Sequence, residues 1–592
     1  MHASSLSAFV SLLLAGATLS APVLQAQSVT AAAAPTLAVG ATAPAFPADP
    51  AREKISAVLL LTAHAPEIVL VPALRGVVFV ADATEVKLSP SLSADGIDVA
   101  RAPLLRLYPD VVTPVKLFLG QPASLPSLER LAKVVQLGLQ QQGESFATAY
   151  VPAQDLTDGV VRIVVTRARL EGDVAIEGAK YFSTRQYRAA LSLASGAEIP
   201  AAALRAATDT LNQNPYRHVK ASVSAGTAPG TSRLALEVEE QRPWQITAGY
   251  NNAGSPSIGE DQLSAGFTWG NAFGRGDVLN YNFASDLSGE HMLSHSGGYT
   301  MFLPDRRALT VSGAWSKIVG DLPAPFAQTG HSWQVDARYS LPLRAPRAAW
   351  TQNLSFSADF KSSDNNLEFA AIPITNNETQ IAQLGATYGV SFLGFGGQNS
   401  ISVSGFASPG GVTGYNRTRA FDGSRPGAKA DYAYGTVNLS HQQPLPFGCA
   451  WIASATVQFA SGALLGSEQL AGAGGTAVRG YAESSAFGDS GVVVTNELHA
   501  PALPVFRGHD HLDLFAFVDF ASLNLLVDRE STDLRSAGAG LNYSFGRHLS
   551  VRASYGWQLK YLDRSIEHSH ALVSANVSYR RISDWNGTPA AL

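Results

Sequence analysis

The 592-residue chain carries 42 Lys and Arg against 47 Asp and Glu, a formal net charge of −5 with no basic stripe, which excludes a nucleic-acid partner. Charged residues are only 15% of the total, against about 25% in soluble domains, and glycine (53) outnumbers methionine (3); transmembrane barrels average this way, their apolar residues diluted by polar ones facing the lumen. The lone cysteine, Cys449, excludes an internal disulfide and a cysteine-based metal site, and no run of about 20 apolar residues offers a spanning helix.

The N-terminus, MHASSLSAFVSLLLAGATLSAPVLQAQ, holds an apolar run at 6–19 that is too short to cross a bilayer. Residues 1–26 read as a signal peptide, without the usual Lys or Arg near Met1. Residues 27–72 are an Ala/Pro-rich linker. Within it, 52–63 can form a short helix, serving either as a pore plug or as a packing or linker segment.

A mixed α and β pattern follows. LRGVVFV predicts a strand, and PSLERLAKVVQLGLQQQG predicts a helix with Leu128, Leu131, Val135 and Leu139 on one face. SFATAYVPA and GVVRIVVTRARL predict two strands. The order repeats in GDVAIEGAKYF (strand), TRQYRAALSLA and PAAALRAATDTLNQNP (helices), then RHVKASVSAG and SRLALEVEEQ (strands). Two small α+β modules in tandem, 73–167 and 168–242, account for this. The earlier helix of the first module is weakly marked.

After Pro243 strict alternation replaces the helical period. WQITAGYNN sets Trp244, Ile246, Ala248 and Tyr250 against Gln245, Thr247, Gly249 and Asn251. LSVRASYGWQLK and ALVSANVSYRR near the C-terminus do the same. A soluble sandwich turns such apolar faces inward, whereas a membrane barrel turns them to lipid. Alternation over about 350 residues, polar faces of Ser, Gly, Asn, Gln and Thr, and aromatics near strand ends (Trp244, Tyr250, Trp269, Trp333, Tyr339, Trp557) favour an all-β transmembrane barrel over 243–592.

One loop stands out, GAGGTAVRGYAESSAFGDSGVVVTNEL, lying between two barrel strands and carrying Arg479. Folded inward, the guanidinium needs a carboxylate. In LDLFAFVDFASLN the apolar face Leu512, Leu514, Ala516, Val518, Phe520 leaves Asp519 to the lumen, where it can receive Arg479 with both oxygens. Taken singly, the pair reads equally as an exposed loop arginine and a solvated lumen carboxylate.

The mature chain resembles the outer-membrane transporters of two-partner secretion, the TpsB family, within the superfamily of BamA-like barrels. The signature loop near 466–490 shows Val478-Arg479-Gly480-Tyr481 after Ser467-Glu468-Gln469 and before Gly488-Asp489, Gly491 and Glu497-Leu498. FVDFA resembles the strand that supplies the aspartate partner, with Asp519 in place and Ala521 where glycine is common. YNNAG and NAFGRGDVL resemble the first barrel strands, and EGAKYF and LNQNPY the second periplasmic module. The resemblance implies two periplasmic POTRA modules (73–167 and 168–242), a barrel of sixteen antiparallel strands, and an inward-folded loop tethered by Arg479 and Asp519. It also implies location in the outer membrane of a Gram-negative bacterium, as a monomer among lipid. The implied partner is a secreted TpsA-like exoprotein, captured by the POTRA modules through β-augmentation and threaded outward unfolded. The chain departs from the pattern at its end, where ISDWNGTPAAL follows the last strand instead of a terminal aromatic.

Nothing points to an enzyme. His509-x-His511 and His568-x-His570 lack a carboxylate set of metal geometry, and the loop at 472–475 has no P-loop lysine. No catalytic residue, cofactor or metal site is assigned. Two other functions fit the same outline: an assembly factor that inserts other barrels, and a passive solute pore. Two POTRA modules and the Ser-Glu-Gln approach favour the exporter.

Overall fold

In this computed structural model the described residues are 68–87, 96–255, 259–322, 326–347, 349–369, 372–506, 510–562 and 568–579. The expected signal peptide, nearly all of the linker, the helix at 52–63, His509 and the tail after Tyr579 lie outside them. The chain divides into two units, one within 32–240 and one beginning at 241.

In the first unit, helix α1 (Leu125–Gln141) begins at a capping box. The Ser124 hydroxyl accepts the Ser127 N–H, and the Ser127 hydroxyl accepts that of Ser124. Its face of Leu128, Leu131, Val135 and Leu139 is fully buried on a four-stranded sheet. In that sheet β1 (Gly76–Val80) lies between parallel neighbours β2 (Gly96–Arg101) and β4 (Val160–Arg167), and β3 (Ala147–Tyr150) is antiparallel to β4. The weakly marked earlier helix proves to be one turn, Pro103–Leu107, followed by a 3-10 stretch, Pro109–Phe118. Pro109 and Pro114 remove backbone donors that a regular helix would use.

The repeat of this pattern contains β5 (Ala175–Glu177), α2 (Thr184–Leu191), α3 (Ala201–Leu211), β6 (Arg217–Ala225) and β7 (Thr231–Glu240). β7 runs parallel to β5 and antiparallel to β6. The Glu240 carboxylate accepts the backbone N–H groups of Lys180 (2.7 Å), Tyr181 and Phe182 (3.2 Å) and the Tyr187 hydroxyl (2.6 Å). Desolvation, then that carboxylate, pushes the buried Tyr187 phenol up.

The second unit is a closed barrel of sixteen strands in chain order. They are β8 (Trp244–Asn251), β9 (Gln262–Ala272), β10 (Asp277–Asp286), β11 (Met292–Leu303), β12 (Arg307–Gly320), β13 (Phe326–Leu343), β14 (Trp350–Phe369) and β15 (Ile372–Gly394). Then follow β16 (Gly397–Pro409), β17 (Asp431–Pro444), β18 (Ala450–Ala460), β19 (Ser490–His499), β20 (Asp510–Leu525), β21 (Glu530–Phe545), β22 (Leu549–Gln558) and β23 (Ser569–Tyr579). All neighbours are antiparallel, and β23 closes on β8 from Ile246↔Tyr579 to Asn251↔Ser574. Closure leaves no unpaired edge, which lipid requires. The apolar face points outward: Ile246, Phe267, Tyr281, Trp333, Leu384, Val518 and Val577 are all exposed. In β20, Phe515, Phe517 and Asp519 are buried while Leu514 and Val518 are exposed, so Asp519 faces the bore.

Candidate functional site

The loop 461–489 leaves β18, crosses the bore and returns at β19. A short ladder pairs Leu470 with Gly488 and Ala471 with Phe487, and Ala473 bridges Val478. The loop's apolar side, including Leu470, Ala477, Val478 and Tyr481, lies against lumen-facing Val493, Ala521, Leu523 and Leu534. The upper bore wall is therefore apolar where the loop docks, a patch that the polar averages of the strands conceal.

Arg479 points from this cluster to the wall. Its Nε donates to Asp519 Oδ2 (2.7 Å) and its Nη2 to Asp519 Oδ1 (2.8 Å), and its backbone N–H adds a third bond to Oδ2 (3.2 Å). Nη1 donates to Glu497, and the guanidinium lies 3.7 Å over the Phe517 ring. Arg479 is 4% exposed and Asp519 1%, so this ion pair is desolvated and stable only while both members remain. Register explains the convergence: Glu497 lies opposite Phe517 and Thr495 opposite Asp519 on adjacent β19 and β20.

The pair is part of a larger network. Glu497 also receives Arg552 Nη2 (2.5 Å) and His499 Nε2 (2.9 Å), and His499 Nδ1 meets Asp513 Oδ2 (2.7 Å). Asn542 donates to Asp513 (3.0 Å) and accepts from Arg552 (3.1 Å). His499 therefore sits between two carboxylates, one at each ring nitrogen.

The rest of the tetrad docks by shape. Gly480 has φ +90° and touches Gly556 of β22: a Cβ on Gly480 would meet the Gly556 carbonyl carbon at 2.9 Å, and one on Gly556 would meet the Gly480 nitrogen at 2.7 Å. Gln558 donates to the Gly480 carbonyl (2.9 Å), and the Tyr481 hydroxyl accepts the Arg535 N–H (3.0 Å) and donates to the Lys560 carbonyl. Val478 is fully buried. All five residues singled out by sequence thus meet one wall, β19 to β22.

Sequence reasoning missed the opposite anchor. Glu468, 3% exposed, accepts Lys361 Nζ of β14 (2.6 Å), Gln383 Nε2 of β15 (3.1 Å) and the Tyr434 hydroxyl of β17 (2.7 Å). The loop is therefore held on both sides of the bore. At its base the fully buried Asp489 takes both prongs of Arg425 and the N–H groups of Leu464 and Leu526 (both 2.9 Å). The signal for each anchor was an acidic residue inside a glycine-rich loop; its partners, on distant strands, had none. Among the described residues no group of three or more His, Cys, Asp or Glu has metal-binding geometry.

Comparison with known proteins supplies the setting. Residues 230–543 match the family described as haemolysin secretion/activation protein ShlB/FhaC/HecB, and 93–167 match the POTRA domain of ShlB type. The outer membrane transporter CdiB of Dickeya dadantii is 23% identical over 75% of this chain and 79% of its own length. The heme/hemopexin transporter protein HuxB of Haemophilus influenzae is 24% identical over 77% of this chain and 81% of its own. The structure of CdiB from Escherichia coli shares the fold, with TM-score 0.62 at 19% identity over 89% of this chain and 96% of that one. With more than half its length matched by the family and its barrel, POTRA module and inward loop on the page, the chain belongs to the ShlB/FhaC/HecB family, the outer-membrane transporters of two-partner secretion.

Proposed function

We propose that the loop held by Arg479–Asp519 and Glu468–Lys361 is the movable element of an export pore, shut at rest and displaced by an unfolded exoprotein. The bidentate, desolvated Arg479–Asp519 pair carries this reading. An ion pair buried in a water-filled bore costs desolvation, and a loop meant only to be rigid gains as much from apolar contacts. Val478, Gly480 and Tyr481 set the loop's docked pose. The modules 73–167 and 168–242, following a signal peptide (1–26) and linker (27–72), receive the cargo by adding one of its segments as a strand to their sheets. The barrel (243–592) works as a monomer, without catalytic residue or cofactor, and cargo folding outside supplies the pull.

Deleting the gene tests the role. The expected result is the loss of one large protein from the cell surface or medium, with other outer-membrane proteins at normal levels. A general failure of barrel assembly would instead make the chain an insertase.

A further inference from the structure

Three hairpin turns of the barrel share a feature that the export role does not use. In Ala272–Arg275, Gly394–Gly397 and Pro446–Cys449 the two central residues are Phe-Gly: Phe273-Gly274, Phe395-Gly396 and Phe447-Gly448. Both central residues have positive φ in each turn: 54° and 67°, 53° and 82°, 62° and 77°. The chain reverses by an Arg275 N–H to Ala272 carbonyl bond (3.1 Å), by the Gly394↔Gly397 pair, and by a Cys449 N–H to Pro446 carbonyl bond (3.4 Å). This is type I′ geometry, which Asn-Gly, Asp-Gly or Gly-Gly adopt with least strain. A bulky side chain in the left-handed region is a conformational outlier. The turn does not demand an aromatic: after β11 the same positive φ values are taken by Asp305 (60°) and Arg306 (61°).

The strained phenylalanines are not repaid by burial. Phe273 is 68% exposed, Phe395 84% and Phe447 95%. All three occupy one end of the barrel. β8 follows the second module directly in the chain, and the POTRA modules lie in the periplasm, so the turns after the barrel's second, eighth and tenth strands are periplasmic.

Two of the rings continue the lipid-facing aromatic surface. Phe273 lies 5.4 Å from Trp269 and 5.9 Å from Tyr299, and Phe395 lies 6.3 Å from Phe392, which stacks on Trp350 at 4.7 Å. A ring about 6 Å beyond the Trp belt falls within the headgroup layer, about 5–7 Å thick on each side of the hydrocarbon. Cations share this level: the Arg347 guanidinium lies 6.0 Å from the Trp350 ring, and the exposed Arg275 follows Phe273-Gly274 directly.

We infer that the Phe-Gly turns are anchors in the inner leaflet of the outer membrane: their rings sit among phospholipid headgroups and upper acyl chains, fixing the barrel's depth. The occupant is phospholipid because the Phe273 and Phe395 rings extend the existing lipid-facing surface rather than line the bore, and because the nearby arginines suit phosphate.

The test uses the full chain in vesicles of phosphatidylethanolamine and phosphatidylglycerol, in a Cys449→Ala background. Phe273→Cys, Phe395→Cys and Phe447→Cys are each labelled with bimane, and folding is verified by heat-dependent gel mobility. Phospholipid brominated high on the acyl chain should quench most of the label's fluorescence at all three sites, and aqueous iodide should quench much less than it does a label at the periplasmic turn residue Arg306→Cys. Strong iodide quenching without bromolipid quenching would show that the turns stand in water and overturn the inference. Protection from both quenchers would overturn it in favour of a polypeptide cover.

Discussion

Replacing Asp519 by alanine removes three hydrogen bonds from Arg479, two of them between opposite charges. Breaking a buried ion pair by deleting one partner costs about 3–5 kcal/mol. Arg479 keeps Glu497, one of whose other partners, Arg552, is half in solvent, so part of the charge stays compensated. The lower end of the range, about 3 kcal/mol, is then the expected loss of loop docking, roughly a 150-fold shift at 1.4 kcal/mol per tenfold. Ala477, on the docked apolar side of the loop and only 4% exposed, provides the readout. In an Ala477→Cys, Cys449→Ala background a bulky maleimide reacts only when the loop lifts, so its rate reports the open fraction. Asp519→Ala should accelerate modification by about two orders of magnitude and abolish export, with the barrel still inserted. A rate within threefold of the parent would refute the argument that this pair holds the loop.

Further outcomes follow from the same geometry. Gly480→Ala and Gly556→Ala should each raise the maleimide rate, and the double variant should add little to either, because both insert a methyl group into one contact. Glu468→Gln leaves Lys361 without its anion and should increase single-channel noise in planar bilayers, while Asp519 keeps the opposite side docked. In the periplasmic unit, Tyr187→Phe should weaken hydrogen-exchange protection around Glu240 by about 0.5–1.5 kcal/mol, since one bond to the carboxylate is lost and three N–H donors remain. Hydrogen bonding to Arg167 holds the Glu144 carboxyl below its ordinary value. The folded state therefore binds this proton less readily than the unfolded one. The stability gained over Glu144→Gln should be complete above about pH 5 and vanish as pH falls through the depressed folded value, as read from exchange in the first module.

The sequence made some features legible and hid others, for physical reasons. Period-two alternation is local, so the outward faces of β8 and β20 could be assigned before any pairing was known. The Leu128–Leu139 face of α1 was equally plain. Arg479 and Asp519 were legible as partners only through their motifs and the parity of β20. Gly556, Gln558 and Arg535 could not be identified as the dock for Gly480 and Tyr481, because the descent of a loop into a bore sets contacts that no strand pattern encodes. Lys361, Gln383 and Tyr434 are ordinary polar positions until Glu468 arrives among them. The one-turn helix and 3-10 stretch at 103–118 lacked periodicity because the prolines prevent it.

The hairpin β14–β15 has an outcome for the cell surface. Its strands are 20 and 23 residues long, about twice what a bilayer crossing needs. Trp333 on β13, packed 5.4 Å from Phe360 on β14, marks the outer aromatic belt. Ser362 and Gln380 pair just at that level, so seven further residues of β14 and eight of β15 climb beyond it. At about 3.3 Å per residue and a tilt near 45°, that is a parapet about 16 Å high on this side of the exit. An emerging cargo is thus screened on that flank, and antibodies or phage approaching the cell from that side meet the parapet before the aperture.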